Sequence, residues 1–174
     1  MPKTTPLVKG VITGLLIVGS MLLLASNGVS AETPAGYLPH ILYCGGVGWA
    51  IYEYVKSPAY TGKFGGLFNT GFRCFIIVTL IMVIYSVVFY SANPEIKEDM
   101  AVKMTEDLKA QKELMPDQIT ERVAGFKKGF MTTIISLTIF QYLLLGVLFT
   151  AACSIFALIF RKPTAHMAGP GADL

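Results

Sequence analysis

The sequence predicts an all-α protein, a multi-pass transmembrane helical bundle of about four helices. Hydrophobic residues make up 53% of the 174-residue chain and charged residues only 14%, whereas soluble domains are nearer a quarter charged. Apolar runs occur near 11–26, 38–55, 72–90 and 139–160, close to the roughly 20 residues that a helix needs to cross a bilayer. The basic residues flank these runs instead of clustering on a soluble face, which indicates membrane topology and no nucleic-acid partner.

The first apolar run has two interpretations. A basic N-terminal region, a short apolar run and Val29-Ser30-Ala31 before Glu32 resemble a secretory signal peptide with its cleavage site. Against cleavage, the apolar run is long for the hydrophobic region of a signal peptide. Gly10 and Gly14 also form a GxxxG step, which lets two helices approach closely in lipid. We therefore expect residues 1–31 to remain attached, with cleavage before Glu32 as the alternative.

The second and third runs are joined by a short loop that carries a phenylalanine pattern. Ser57-Pro58 ends the second helix, because the residue before a proline is pushed out of the α region. Phe64, Phe68 and Phe72 then recur every four residues and would share one face of a helix. We expect a short amphipathic helix at the membrane surface here. A re-entrant gate is the alternative.

A polar insert over 93–128 separates the third and fourth spans. Asn93-Pro94 is a helix-start signal, and Pro116 divides the insert into two parts. Apolar residues repeat at helical spacing in both parts: Ile96, Met100, Met104 and Leu108, then Ile119, Val123, Phe126 and Phe130. The pattern predicts an amphipathic helical hairpin, or a bent pair of helices, outside the bilayer.

The last run extends from Gly129 to Phe160 and is longer than a bilayer requires. Counting about 20 residues back from Arg161 places its spanning part near 139–160. A tail rich in Gly and Pro over 163–174 is predicted to be disordered. Together, residues 1–174 are predicted to form a single membrane domain.

The distribution of charge predicts the orientation. The two termini and the loop between Lys56 and Arg73 hold seven basic and two acidic residues, a net charge of +5. Glu32 and the 93–128 insert hold seven basic and nine acidic residues, a net charge of −2, which completes the +3 of the whole chain. Basic residues near helix ends face the cytoplasm. We therefore predict both termini in the cytoplasm and the hairpin on the extracytoplasmic side of a bacterial inner membrane.

The residues that most chemistries require are missing from the sequence. His40 and His166 fall on opposite sides of the predicted membrane, and the three cysteines lie singly in apolar runs. No catalytic, nucleotide-binding or metal-binding motif is present, so we predict no catalytic residues, no cofactor, no metal and no enzymatic activity. Among charged residues near the spans, we expect Glu53 to pair with Arg73 across two helices or with Lys56 one turn away.

Several of these features resemble a bacterial family of unknown function, domain-of-unknown-function family 4199. The features that carry the resemblance lie between residues 56 and 162: Gly65-Gly66, the phrase Phe68-Asn69-Thr70-Gly71-Phe72-Arg73, Asn93-Pro94, and Gly146, Ser154 and Ala157 before Arg161-Lys162. The resemblance implies four transmembrane helices, and it assigns no activity or functional residue.

From the sequence we expect an accessory or scaffold protein that acts through helix packing and its hairpin. Its expected partners are the lipid bilayer and either another membrane protein or further copies of itself. The alternative is a small transporter or channel formed by oligomerisation.

Overall fold

A computed structural model describes residues 5–28, 33–111 and 115–160. Within these ranges the chain is helical and contains no strand. The α-helices are α1 (Pro6–Ser26), α2 (Leu38–Val55), α3 (Phe64–Ala92), α4 (Glu95–Gln111) and α5 (Pro116–Phe160), and a 3-10 helix over Pro34–Tyr37 precedes α2. The all-α fold class is confirmed. The alternative cleavage site before Glu32 and the predicted disordered tail lie outside the described residues, and the single membrane domain stays a prediction.

Helix α3 begins eight residues earlier than the sequence analysis placed it. The phenylalanine stripe forms its first turns: the rings of Phe64 and Phe68 stack at 5.7 Å between centroids, and those of Phe68 and Phe72 at 6.4 Å. The shared face is confirmed. The stripe is part of the third helix, however, and not a separate surface helix or a re-entrant segment.

Helix α5 is one continuous helix of 45 residues. It begins at Pro116, where the fixed φ of proline suits a helix start, and it joins the second half of the polar insert to the last apolar run. At 1.5 Å per residue it is about 68 Å long, more than twice the ~30 Å hydrocarbon core of a bilayer. No proline follows Pro116 within α5, and its three glycines are too weak as helix breakers to interrupt it.

Three helices are long and apolar enough to cross a membrane: α1, α3 and α5. Helix α2 begins and ends where the sequence predicted, but it is not among the three. Its 18 residues include Pro39, His40 and Glu53, which lower its apolar character. The structure thus shows three candidate spans.

One compact unit comprises Met1–Val78 and Leu145–Leu174. In it α2 packs against three neighbours. A Cβ atom placed on Gly46 would overlap Thr13 of α1, and one on Gly146 of α5 would overlap Tyr43. One placed on Gly71 of α3 would lie 3.2 Å from Cδ1 of Ile51, a tight contact. Helices α1 and α2 run antiparallel, because early residues of α1 contact late residues of α2.

The other compact unit, Thr79–Leu144, contains α4, the end of α3 and the first part of α5. Ser86 and Thr138 form a hydrogen bond of 3.3 Å, and the rings of Tyr90 and Phe130 meet edge to face at 5.6 Å. Leu108 of α4 is buried, as is Ile119 of α5. Helices α4 and α5 are joined by an ion pair between Glu98 and Lys127; the extracytoplasmic hairpin stays a prediction.

Many large apolar side chains of the long helices are exposed on the surface of the protein. Leu15, Leu23, Ile84, Phe140 and Ile159 are each more than half exposed. Polar residues are among the buried ones: Lys9, Thr13, Ser20, Thr70, Thr79, Ser86, Thr150 and Ser154. Polar groups inside and large apolar groups outside are the arrangement expected of helices surrounded by lipid.

Candidate functional site

The candidate site is built on the first turns of α1, which begins five residues before the predicted run. Thr5 is the N-cap, and its Oγ1 accepts a hydrogen bond of 3.4 Å from the backbone N–H of Val8. Pro6 occupies the first helical position, which suits its fixed φ. This early start places Lys9 inside the helix. The buried face of α1 repeats at steps of one and three residues: Lys9, Gly10, Thr13, Gly14, Ile17 and Ser20.

Lys9 makes an ion pair with Glu53 in the last turn of α2. Its Nζ lies 2.5 Å from Oε2 of Glu53, and the Lys9 side chain is only 3% exposed, against 38% for Glu53. The other carboxylate oxygen, Oε1, accepts a hydrogen bond of 3.0 Å from Nε1 of Trp49. The Trp49 ring also lies 5.4 Å from the Lys9 ammonium, a cation–π distance. Three side chains from two helices therefore form one charged cluster.

The cluster compensates the positive charge of the buried Lys9. A lysine at this depth in an apolar bundle needs a partner, because an unpaired buried charge costs several kcal/mol. Glu53 supplies the opposite charge, and Trp49 orients its carboxylate from one turn away. The cluster therefore fixes the start of α1 against the end of α2.

Close backbone packing holds the helices of this cluster together. A Cβ atom on Gly10 would lie 2.7 Å from the carbonyl oxygen of Cys74 and 2.9 Å from Cβ of Ile77, both in α3. Gly14 is buried on the same face, as the GxxxG spacing predicts. A Cβ atom on Gly46 of α2 would lie 2.7 Å from Cβ of Thr13. Glycine at these positions lets three helices approach closely beside the ion pair.

A small pocket opens beside the ion pair. It has a volume of about 210 Å³, and three helices and one turn contribute to it. Its walls are Thr5, Pro6, Lys9, Ala50, Glu53, Tyr54, Ser57 and Thr70. Oγ of Ser57 is buried and has no hydrogen-bond partner, whereas the Thr70 hydroxyl donates to the carbonyl oxygen of Gly66 at 2.9 Å. The pocket therefore combines a buried charge with an unused hydroxyl.

The structure gives Glu53 a partner that the sequence analysis did not name. The expected partners were Arg73 and Lys56. Arg73 is exposed, and the Lys56 ammonium lies over the ring of Tyr52 at 4.2 Å. The ion pair shown for Glu53 is with Lys9.

Lys9 was missed because the helix was expected to begin at residue 11, which made Lys9 a flanking topology charge. A signal was available. Lys9 lies four residues before Thr13 and one before Gly10, and so it shares the face of the GxxxG step.

The second unit contains another ion pair, between Glu98 of α4 and Lys127 of α5. The hydrogen bond from Lys127 lowers the pKa of Glu98 below the ordinary value of a glutamate. Both side chains are solvent-accessible, so the pair joins the two helices of the hairpin without the demands of a buried charge. The described residues contain no group of three or more metal-ligating side chains, and His166 lies outside them.

Comparison with known proteins assigns the chain to a family. The family model described as "Protein of unknown function (DUF4199)" matches residues 8–162, which is most of the chain. The chain belongs to this family. The resemblance drawn from the sequence motifs is thereby confirmed, and the range matched to the DUF4199 family includes both Lys9 and Glu53. No curated protein matches the chain, and no solved structure does.

Proposed function

We propose that this member of the DUF4199 family is a four-span protein of the bacterial inner membrane, with α2 as its fourth span. Helix α2 contacts α1, α3 and α5 in one unit, and each of those three is apolar enough to cross a membrane. An 18-residue helix is about 27 Å long, close to the thickness of the hydrocarbon core.

We further propose that both termini face the cytoplasm and that the hairpin of α4 and the first turns of α5 lies outside. The support is the net charge of +5 on one set of segments and −2 on the other, together with the preference of basic loops for the cytoplasm. The exposed Glu98–Lys127 pair fits a hairpin in water.

The biochemical role that we propose is that of an accessory or scaffold subunit without enzymatic activity. The observation that carries it is the Lys9–Glu53 pair: the buried Lys9 is used internally, to join α1 to α2. The outward surface of the long helices is apolar. Such a bundle presents packing surfaces to lipid and to neighbouring membrane proteins.

Copurification after mild detergent extraction tests this role. A tagged full-length chain should bring down a different membrane protein at a constant molar ratio. The matched control is a tagged, unrelated four-span protein at the same expression level. Recovery of the chain alone as a single protomer contradicts the scaffold proposal.

A transporter or channel formed by oligomerisation is the second candidate. The observation that favours it is also the ion pair, since ionisable residues inside membrane helices often mark ion or substrate pathways. Recovery of a homo-oligomer of four or more copies, with no foreign partner, supports this candidate over the scaffold. Ion flux into proteoliposomes that is abolished by Glu53→Gln then identifies the pathway.

A further inference from the structure

The pocket beside Lys9 contains hydrogen-bond donors that the protein itself does not use. The ammonium group of lysine has three N–H donors, and the structure shows Glu53 as its ion-pair partner. Thr5 Oγ1 accepts from Val8, so its own O–H remains available. Ser57 Oγ is buried without a partner. Three residues from two parts of the chain, the start of α1 and the turn after α2, therefore present donors to one cavity.

Unused donors of this kind call for an acceptor. A buried hydroxyl without a hydrogen bond is unfavourable, and the cavity of about 210 Å³ is several times the ~30 Å³ that one water occupies in the liquid. The start of α1 adds the positive end of a helix dipole, although the Val8 N–H is already bonded to Thr5. The cavity thus has the size and the donors for a small anionic group.

The electrostatic surroundings also favour an anion. Both oxygens of Glu53 are already engaged, one with Lys9 and the other with Trp49. The end of α2, the loop after it and the first turns of α3 add Lys56, Lys63 and Arg73. These three lie in segments next to the pocket and do not line it; its own charged residues are Lys9 and Glu53.

Aromatic side chains suggest where the anion comes from. Tyr52, Tyr54 and Trp49 lie in the last turns of α2, and Trp and Tyr are typical of the headgroup level of a bilayer. Pockets lined by basic residues between transmembrane helices bind lipid headgroups. We propose that the pocket binds the phosphate group of a membrane phospholipid, with Lys9, Thr5 and Ser57 as donors. This site is independent of the scaffold role.

The test is a melting titration of the purified full-length chain in dodecylmaltoside micelles. Phosphatidylglycerol is titrated into the parent, into Ser57→Ala and into Ser91→Ala, which removes an exposed hydroxyl at the end of α3. We expect phosphatidylglycerol to raise the melting midpoint of the parent and of Ser91→Ala at the same concentrations. Ser57→Ala should need about tenfold more lipid, the effect of one hydrogen bond to a charged group.

Two further ligands identify the recognised group. Diacylglycerol with the same acyl chains lacks the phosphate and should give no shift. Inorganic phosphate should also give none, and a shift equal to that of the lipid would keep the phosphate chemistry but assign it to a soluble source. Without lipid, Ser57→Ala should melt at or above the parent, which shows that it folds.

Two results overturn the proposal. One is an identical phosphatidylglycerol titration for the parent and Ser57→Ala, which would mean that the pocket holds water only. The other is a diacylglycerol shift as large as that of phosphatidylglycerol, which would mean that the acyl chains alone stabilise the protein.

Discussion

The Nζ atom of Lys9 lies 2.5 Å from Oε2 of Glu53, across the antiparallel pair of α1 and α2. The two residues are 44 positions apart in the sequence. Lys9 lies in the first turn of α1, and Glu53 lies in the last turn of α2. Such a pair fixes which end of α2 lies beside the start of α1. A one-turn slip of either helix would separate the charges by about 5.4 Å and leave Lys9 buried without its partner.

The first prediction concerns removal of one charge from this pair. Glu53→Gln should lower the free energy of unfolding in detergent by about 3 kcal/mol, because it leaves the Lys9 ammonium buried and uncompensated. Lys9→Met should cost less, since Glu53 is 38% exposed and water can solvate its carboxylate. Denaturant unfolding followed by the fluorescence of Trp49 measures both changes.

The double variant Lys9→Met with Glu53→Gln distinguishes a coupled pair from two independent sites. It should lose less stability than the sum of the single variants, because neither charge remains to be compensated. Lys63→Met, which removes an exposed lysine from the loop before α3, is the control and should change little. Additive losses would mean that the two charges do not depend on each other.

The sequence predicted the helices well because hydropathy and turn residues are local signals. The bounds of α2 match the prediction from 38 to 55, and the break at Asn93-Pro94 separates α3 from α4. The starts of α1 and α3 were placed too late, and the second helix of the insert was not predicted to continue through the whole last apolar run. These helices begin directly after Thr5, Lys63 and Met115. Capping and continuation into polar turns determine such boundaries, and hydropathy does not detect either.

The candidate site was only half predictable. Glu53 was recognised as an ionisable residue at the end of a span, but its partner depends on which faces of α1 and α2 meet. That choice follows from the close packing of Gly46 on Thr13, a tertiary contact between residues 33 positions apart. Helical periodicity gives the face of each helix and leaves the pairing of faces open.

The second prediction concerns the orientation. Cysteines placed at Lys109, in the hairpin, and at Lys63, in the loop before α3, both lie at exposed positions. In intact spheroplasts a membrane-impermeant maleimide should label Lys109→Cys and not Lys63→Cys, because only the hairpin is proposed to lie outside. The parent, with Cys44, Cys74 and Cys153, gives the background. Labelling of Lys63→Cys alone would reverse the proposed orientation.

The third prediction is a pH dependence at the hairpin. Because the hydrogen bond from Lys127 lowers the pKa of folded Glu98, the pair stabilises the hairpin at pH values above the ordinary glutamate range. This contribution is lost as the pH falls through the lowered value. A carbon-detected NMR titration of the Glu98 carboxyl group should therefore show a midpoint below that of an unpaired glutamate.

Two neighbouring lysines provide the matched comparison for this titration. Lys127→Gln should raise the titration midpoint of Glu98 towards the ordinary range, because it removes the donor. Lys128→Gln removes the same charge one residue away and should leave the midpoint low. Equal midpoints in the two variants would show that general charge, and not the hydrogen bond, sets the pKa of Glu98.

The fourth prediction compares two glycines of α1. An alanine at Gly10 would place its Cβ 2.7 Å from the carbonyl oxygen of Cys74, a backbone atom that cannot easily move, whereas at Gly19 nothing lies within 4 Å. Gly10→Ala should therefore lower the free energy of unfolding by about 1–3 kcal/mol through overpacking. Gly19→Ala should leave it unchanged or raise it by up to about 1 kcal/mol, since alanine has the higher helix propensity.

A thermal melt of both variants in the same detergent separates the packing contribution from the propensity contribution, because the chemical change is identical. Association of helices in lipid depends on van der Waals fit, so a single methyl group at Gly10 should push α1 away from α3 and also displace the neighbouring Lys9 relative to Glu53. The Gly10→Ala variant should then lose part of the stability that Glu53→Gln removes, and the two losses should be less than additive. If Gly10→Ala melts at or above Gly19→Ala, α1 does not pack on α3 through this face.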